Sequence, residues 1–246
     1  MFRLLWKAHC KWVKRIGYGG NGMFSLEAMM RIAMTKMPVF LQGAGMTLQL
    51  AAWTVALGSV FGIFVALMRL SKFRLIRWIS TAYVEFLRGT PLLVQVLIVY
   101  FGLPQLGIKM PRMTAGIVAL TINSAAYMSE IVRSGIQAVD HGQTEAARSL
   151  GMTSVQTMLY VILPQALRTI VPPVGNECIA MLKDTSLVSV MAMPDLMQFG
   201  RSYAAKTYLY FETYTIIALI YLIITLLLSK GVSILEGRLN YYDKRK

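Results

Sequence analysis

The chain has 246 residues, 56% of them hydrophobic, with a mean hydropathy of +0.56 and a formal net charge of +14. That apolarity excludes an ordinary soluble domain and points to a polytopic membrane protein. In such a chain the positive charge marks basic residues held on the cytosolic side, not a nucleic-acid partner. Two cysteines, Cys10 and Cys178, and two histidines, His9 and His141, make no disulfide framework, metal cluster or catalytic constellation. No Gly-x4-Gly-Lys-Ser/Thr loop is present to cradle nucleotide phosphates, so the chain is expected to hydrolyse no ATP of its own. The expectation is therefore no catalytic residue, no metal and no cofactor.

Residues 1–40 form a basic N-terminal segment in which seven basic residues precede residue 37: Arg3, Lys7, Lys11, Lys14, Arg15, Arg31 and Lys36. No apolar run there is long enough for a signal-peptide core. Trp6, Trp12 and Tyr18 among the lysines fit a segment lying on the bilayer surface, and a basic tail without fixed structure fits equally. Met37 to Met68 is free of charge and long enough for a first transmembrane helix with a lead-in. Arg69, Lys72, Arg74 and Arg77 then read as a cytosolic flank. Gly89–Ile108, with Pro91 at its start and Pro104 near its end, is the second uncharged stretch, and Met113–Ser129 is the third. Val171–Met193 is the fourth and the weakest, since Glu177, Lys183 and Asp184 lie within it, and Thr213–Ser229 is the fifth.

Between the third and fourth stretches, residues 134–170 form a polar interruption that reads as two short helices joined by a bend. Glu145 to Leu150 are good helix formers, and Gly151 is placed to end them in a left-handed cap. Thr153 with Gln156 is a capping-box signature for a second helix, which Pro164 is expected to break. Five spans put the termini on opposite sides. With the polar loop inside, the inner flanks carry thirteen basic residues and the outer connections four, which places the carboxyl terminus in the cytosol. The basic N-terminal segment then lies outside, against the rule, unless an extra membrane element near residues 24–37 returns it. Glu27, Arg31 and Lys36 make that stretch a poor span, so the first arrangement is preferred.

The polar loop resembles the EAA loop of ABC-importer permeases, whose pattern is Glu-Ala-Ala, three residues, Gly, nine residues, Ile, any residue, Leu-Pro. Here it reads Glu145-Ala146-Ala147, Gly151, Val161 and Leu163-Pro164, with Val161 where Ile is usual. Over residues 41–240 the chain is similar to the polar amino-acid (histidine/glutamine-type) branch of that family. The blocks Gln42-Gly43, Thr47-Leu48, Tyr83-Val84-Glu85, Arg88-Gly89-Thr90-Pro91-Leu92, Ser124-Ala125-Ala126-Tyr127 with Glu130, and Lys183-Asp184-Thr185-Ser186-Leu187 follow in order.

The resemblance implies an all-α type I ABC-importer permease of five transmembrane helices with a cytosolic coupling loop, in the bacterial inner membrane. It implies two cytosolic ATP-binding subunits, a second permease subunit, identical or related, and a periplasmic or extracellular amino-acid binding protein. In the family the loop lies in a cleft of the ATPase, which assigns Glu145, Ala146, Ala147, Gly151, Leu163 and Pro164 to coupling.

Three charges in the fourth span require protein, water or substrate around them, since each costs about 2.5–3.5 kcal/mol against lipid. Glu177 and Asp184 are seven residues apart and share a helix face, whereas Lys183 points elsewhere. Such a pair suits an ammonium group in a central path, as in basic-amino-acid members of the family. The alternative is that Asp184 is tied to a neighbouring helix or subunit. Two rival functions compete with this reading: a self-sufficient channel or secondary transporter using these charges, and a membrane-embedded enzyme, which no nucleophile–base pair supports.

Overall fold

A computed structural model describes residues 25–241, and all regular structure in that range is helical. The expectations for residues 1–24 and for the basic tail at 242–246 lie outside the described residues.

The first helix, α1, runs without a break from Leu26 to Arg69. At 1.5 Å per residue its 44 residues extend about 66 Å, twice the hydrocarbon thickness of a bilayer. Ser25 caps it, accepting from the Ala28 amide at 3.2 Å. The boundary expected near residue 40 therefore falls inside one helix, and residues 26–37 are no returning hairpin. Their charges are accommodated at the surface: Glu27 and Arg31 pair one turn apart at 3.1 Å, and the Lys36 amine lies 5.9 Å from the Tyr203 ring centroid. One apolar side of the stretch is covered, with Ile32, and Phe40 beyond it, in a cluster with Leu196, Ile216, Ile217 and Ile220, while Leu26, Met30 and Met34 are exposed.

From Arg74 the basic segment after α1 is itself helical, forming α2 (Arg74–Arg88). It buries Ser80, Val84 and Leu87 and exposes Leu75, Trp78, Ile79 and Phe86. After a break at Gly89-Thr90-Pro91 the chain resumes as α3 (Leu92–Leu97), which passes into a π turn at Ile98–Gly102 and a 3-10 turn at Leu103–Leu106. The axes on the two sides of the break meet at 103°. The break falls at the start of the second expected stretch, because Pro91 lacks an amide hydrogen and cannot continue the ladder of α2.

Helix α4 (Arg112–Gln137) packs along α1, and a short link leads to α5 (His141–Ser149). After the bend come α6 (Ser154–Gln156), a π segment at Thr157–Ile162 and α7 (Leu163–Asp184). Pro164 does not break this helix as expected. The preceding π turn widens the ladder where the proline ring would otherwise clash, so residues 154–184 are continuously helical. A 3-10 segment at Thr185–Met191 leads to α8 (Leu196–Thr207) and the long α9 (Tyr210–Tyr241).

By length and hydropathy α1, α4 and α9 can each cross a bilayer, and the bent pair α2–α3 makes up to four. The charges of α7 keep it out of that count, so the expected total of five is not reached on these criteria. The Ser25 amide donates to Glu212 in the first turn of α9 at 3.2 Å, so α1 and α9 start at the same end of the bundle.

Candidate functional site

The polar interruption is a two-armed projection held by local hydrogen bonds. Asp140 caps α5 through the Gly142 amide at 2.8 Å. At the other end Gly151 has φ +81°, the left-handed cap expected of it. The Gly151 amide donates to Arg148 O at 3.0 Å and the Met152 amide to Ala147 O at 3.2 Å, which together form a Schellman motif. The second arm opens on the expected capping box: the Thr153 amide donates to Gln156 Oε1 at 2.8 Å, and the Gln156 amide to Thr153 Oγ1 at 3.3 Å. Gln165 Nε2 reaches back to Gln143 Oε1 at 3.3 Å and joins the arms.

Within the Glu-Ala-Ala triplet the three residues have different surroundings. Ala147 is 4% exposed, and its helix packs on the π segment of the second arm. Ala146 and Glu145 face outward, with Glu145 Oε1 3.2 Å from His141 Nδ1. Leu163 is half-buried and Pro164 exposed. The projection also exposes Leu150, Val155, Leu159 and Tyr160, which the motif-based reading did not single out. Their signal was present as apolar residues recurring in an otherwise polar loop.

Glu177 and Asp184 lie two turns apart on α7, both partly exposed, and neither forms a salt bridge with a described residue. Lys183 turns away from them, into a cavity of about 340 Å³ lined also by Ser186, Met197, Tyr214 and Tyr221. Neither carboxylate lines that cavity. The two expected path residues therefore share a stripe that this single chain leaves open, while Lys183 belongs to a different space between α7, α8 and α9.

The family model for the inner membrane component of binding-protein-dependent transport systems matches residues 58–241. The chain is 43% identical over 201 residues to the probable glutamine ABC transporter permease protein GlnM of Bacillus subtilis (strain 168), covering 82% of this chain and 93% of the relative. It is 40% identical over 209 residues to the arginine transport system permease protein ArtQ of the same organism, covering 85% and 95%. A crystal structure of an amino acid ABC transporter with histidines superposes with a TM-score of 0.82 at 48% identity, covering 88% of this chain and 99% of the other. The inward-facing MetNI methionine ABC transporter shares the fold, with a TM-score of 0.68 at 20% identity over 82% and 97% of the two chains.

Proposed function

The chain belongs to the family of inner membrane components of binding-protein-dependent transport systems, and on that premise we propose that it is the permease subunit of an ATP-driven amino-acid importer. It forms the translocation path with a second permease subunit, identical or related, in a bacterial inner membrane. Two cytosolic ATPase subunits supply the energy, and a binding protein delivers the amino acid from outside. The carboxyl terminus lies in the cytosol.

The observation that carries the coupling role is the projection itself. Two capped arms present Leu150, Val155, Leu159 and Tyr160 uncovered beside Glu145 and Ala146, a surface suited to a cleft in a partner. Residues Glu145, Ala146, Ala147, Gly151, Leu163 and Pro164 shape this element and pass ATPase closure into the membrane helices. Glu177 and Asp184 face the path shared with the second permease subunit and receive the ammonium or basic group of the cargo.

Uptake of labelled basic, acidic and amide amino acids by cells with and without the gene tests the reading. Loss of uptake for one class is expected on deletion. Glu177→Gln is expected to lower uptake about tenfold or to change preference among amino acids, since a hydrogen bond to a charged group contributes roughly 1.5–3 kcal/mol. Unchanged uptake and selectivity would remove Glu177 from the path, and loss of the assembled complex would assign it a structural role.

A further inference from the structure

Two sequence blocks that the coupling and path assignments leave unused, Arg88-Gly89-Thr90-Pro91 and Ala126-Tyr127 with Glu130, meet in the structure. The first is the elbow between α2 and α3, and the second lies on α4. Asn123, Tyr127 and Glu130 are spaced by four and three residues, so they form one stripe down a single face of α4. Each of them holds the elbow. Asn123 Nδ2 donates to Gln95 Oε1 at 2.9 Å, and Gln95 Nε2 donates to Leu87 O at 2.8 Å, Thr90 O at 3.1 Å and Thr90 Oγ1 at 2.9 Å. The carbonyls orphaned by the break are thus satisfied by two buried amides. The Arg88 guanidinium lies 5.4 Å from the centroid of the Tyr127 ring.

Glu130 completes the stripe. Its carboxylate binds Arg69 at the end of α1 and Arg133 on its own helix, and stands 3.7 Å from Arg88 at the end of α2. One carboxylate therefore bridges guanidiniums from three helices, and the Arg69 side chain is only 8% exposed. Two turns further on, α4 ends at Gln137, and Asp140 opens the projection. On the far side of the elbow, Val96 of α3 packs in one cluster with Met181 and Val188, which flank Asp184. A continuous set of contacts thus runs from the projection through α4 and the elbow to the segment bearing the path carboxylates.

We propose that Glu130, with Asn123 and Tyr127, is a positioning residue that clamps the α2–α3 elbow to α4, so that movement of the coupling projection reaches the translocation path through the elbow. This rests on the permease reading above. Gln at position 130 keeps the shape and an acceptor but removes the charge that holds the three guanidiniums together.

The test uses the complete complex in proteoliposomes, with its ATPase subunits and binding protein, supplied with labelled glutamine and arginine. Glu130→Gln is expected to leave assembly intact and to lower amino acid taken up per ATP hydrolysed by about tenfold, an ordinary size for coupling between sites. Arg88→Gln, which removes the most exposed of the three guanidiniums, is expected to act in the same direction and decides the matter where Glu130→Gln does not assemble. A wild-type ratio of uptake to hydrolysis in Arg88→Gln and in any assembled Glu130→Gln complex overturns the clamp, including a parallel fall of both activities. A wild-type complex that neither hydrolyses ATP nor takes up either amino acid would instead overturn the permease reading.

Discussion

Gly151 shows how a single backbone angle shapes the projection. A Cβ added there would meet nothing within 4 Å, so any cost of substitution comes from φ +81° and not from crowding. An L residue in that region pays about 1–2 kcal/mol, with Asn paying less than Ala. ATPase copurification and uptake should therefore fall in the order glycine, Gly151→Asn, Gly151→Ala, with Gly151→Asp lowest because it also places a carboxylate on the proposed docking face. Equal uptake in all four would show that the cap has no part in coupling. Ala147→Asp should act differently: the carboxylate enters the buried contact between the arms, so the projection itself loses its fold. Asp195 is a second case, in the connection before α8. It is fully buried and caps α8, accepting from the Met197 amide at 3.2 Å and the Gln198 amide at 3.1 Å. Burial pushes its pKa up to about 6, against the opposing pull of those amides and of Arg201. Since the folded value exceeds the unfolded one, its contribution to stability is complete below pH 4 and is lost as pH rises through 6. The purified protein should melt a few degrees lower at pH 7.5 than at pH 5, since about half of a total of roughly 3 kcal/mol is lost between those two values. Asp195→Asn keeps the cap and should flatten that dependence. A variant as pH-sensitive as the wild type would acquit Asp195.

Among the elements, α1 and α4 show what hydropathy conveys and what it hides. The inward face of α1 carries Gly43, Thr47, Leu50, Ala51, Thr54, Gly58, Gly62 and Ala66, a run of mostly small side chains that lets another backbone approach. A Cβ at Gly62 would stand 3.1 Å from Ala125 O and closer still to the Met128 side chain, while one at Gly58 would press on Ser124. Gly62→Val should therefore destabilise the bundle by roughly 1–3 kcal/mol, whereas Gly45→Val, at a position with no neighbour within 4 Å, should cost little. Thermal unfolding of the two variants in the same detergent checks this, and equal melting points would contradict the close approach. The Gly151 cap and the Thr153–Gln156 capping box were legible in sequence because both depend on residues close along the chain. The fate of Pro164 was not, since it depends on whether the ladder before it can widen into a π turn. Helix α2 was hidden for another reason: Arg69, Lys72, Arg74 and Arg77 dominate a charge count and mask the apolar face formed by Leu75, Trp78, Ile79 and Phe86.

For the whole molecule, the family blocks were legible in order along the chain, but their meeting points were not. Arg88 and Glu130 stand 42 residues apart, and nothing local to either shows that they share a charge cluster with Arg69. The topology of the amino-terminal half was also open, because charge counting set the seven basic residues before residue 37 against the placement of the loop. The continuous helix from Leu26 to Arg69 bears directly on this. A rod of about 66 Å with no reversal cannot bring residue 26 back to the side where residue 69 ends. Ser25 lies beside Glu212 at the start of α9, whereas Arg69 lies beside Glu130 on the approach to the projection. Single cysteines placed at Glu27 and Lys72, with Cys10 and Cys178 replaced by serine, should therefore report from opposite faces of the membrane. Both positions are exposed, and the Glu27–Arg31 pair lost in the first variant is a surface contact of small value. In cells whose outer barrier has been opened, a membrane-impermeant maleimide should label Glu27→Cys at once and Lys72→Cys only after the inner membrane is permeabilised. Labelling of both from the same side would require α1 to turn back within the bilayer, and the single-pass geometry of this helix would then fail.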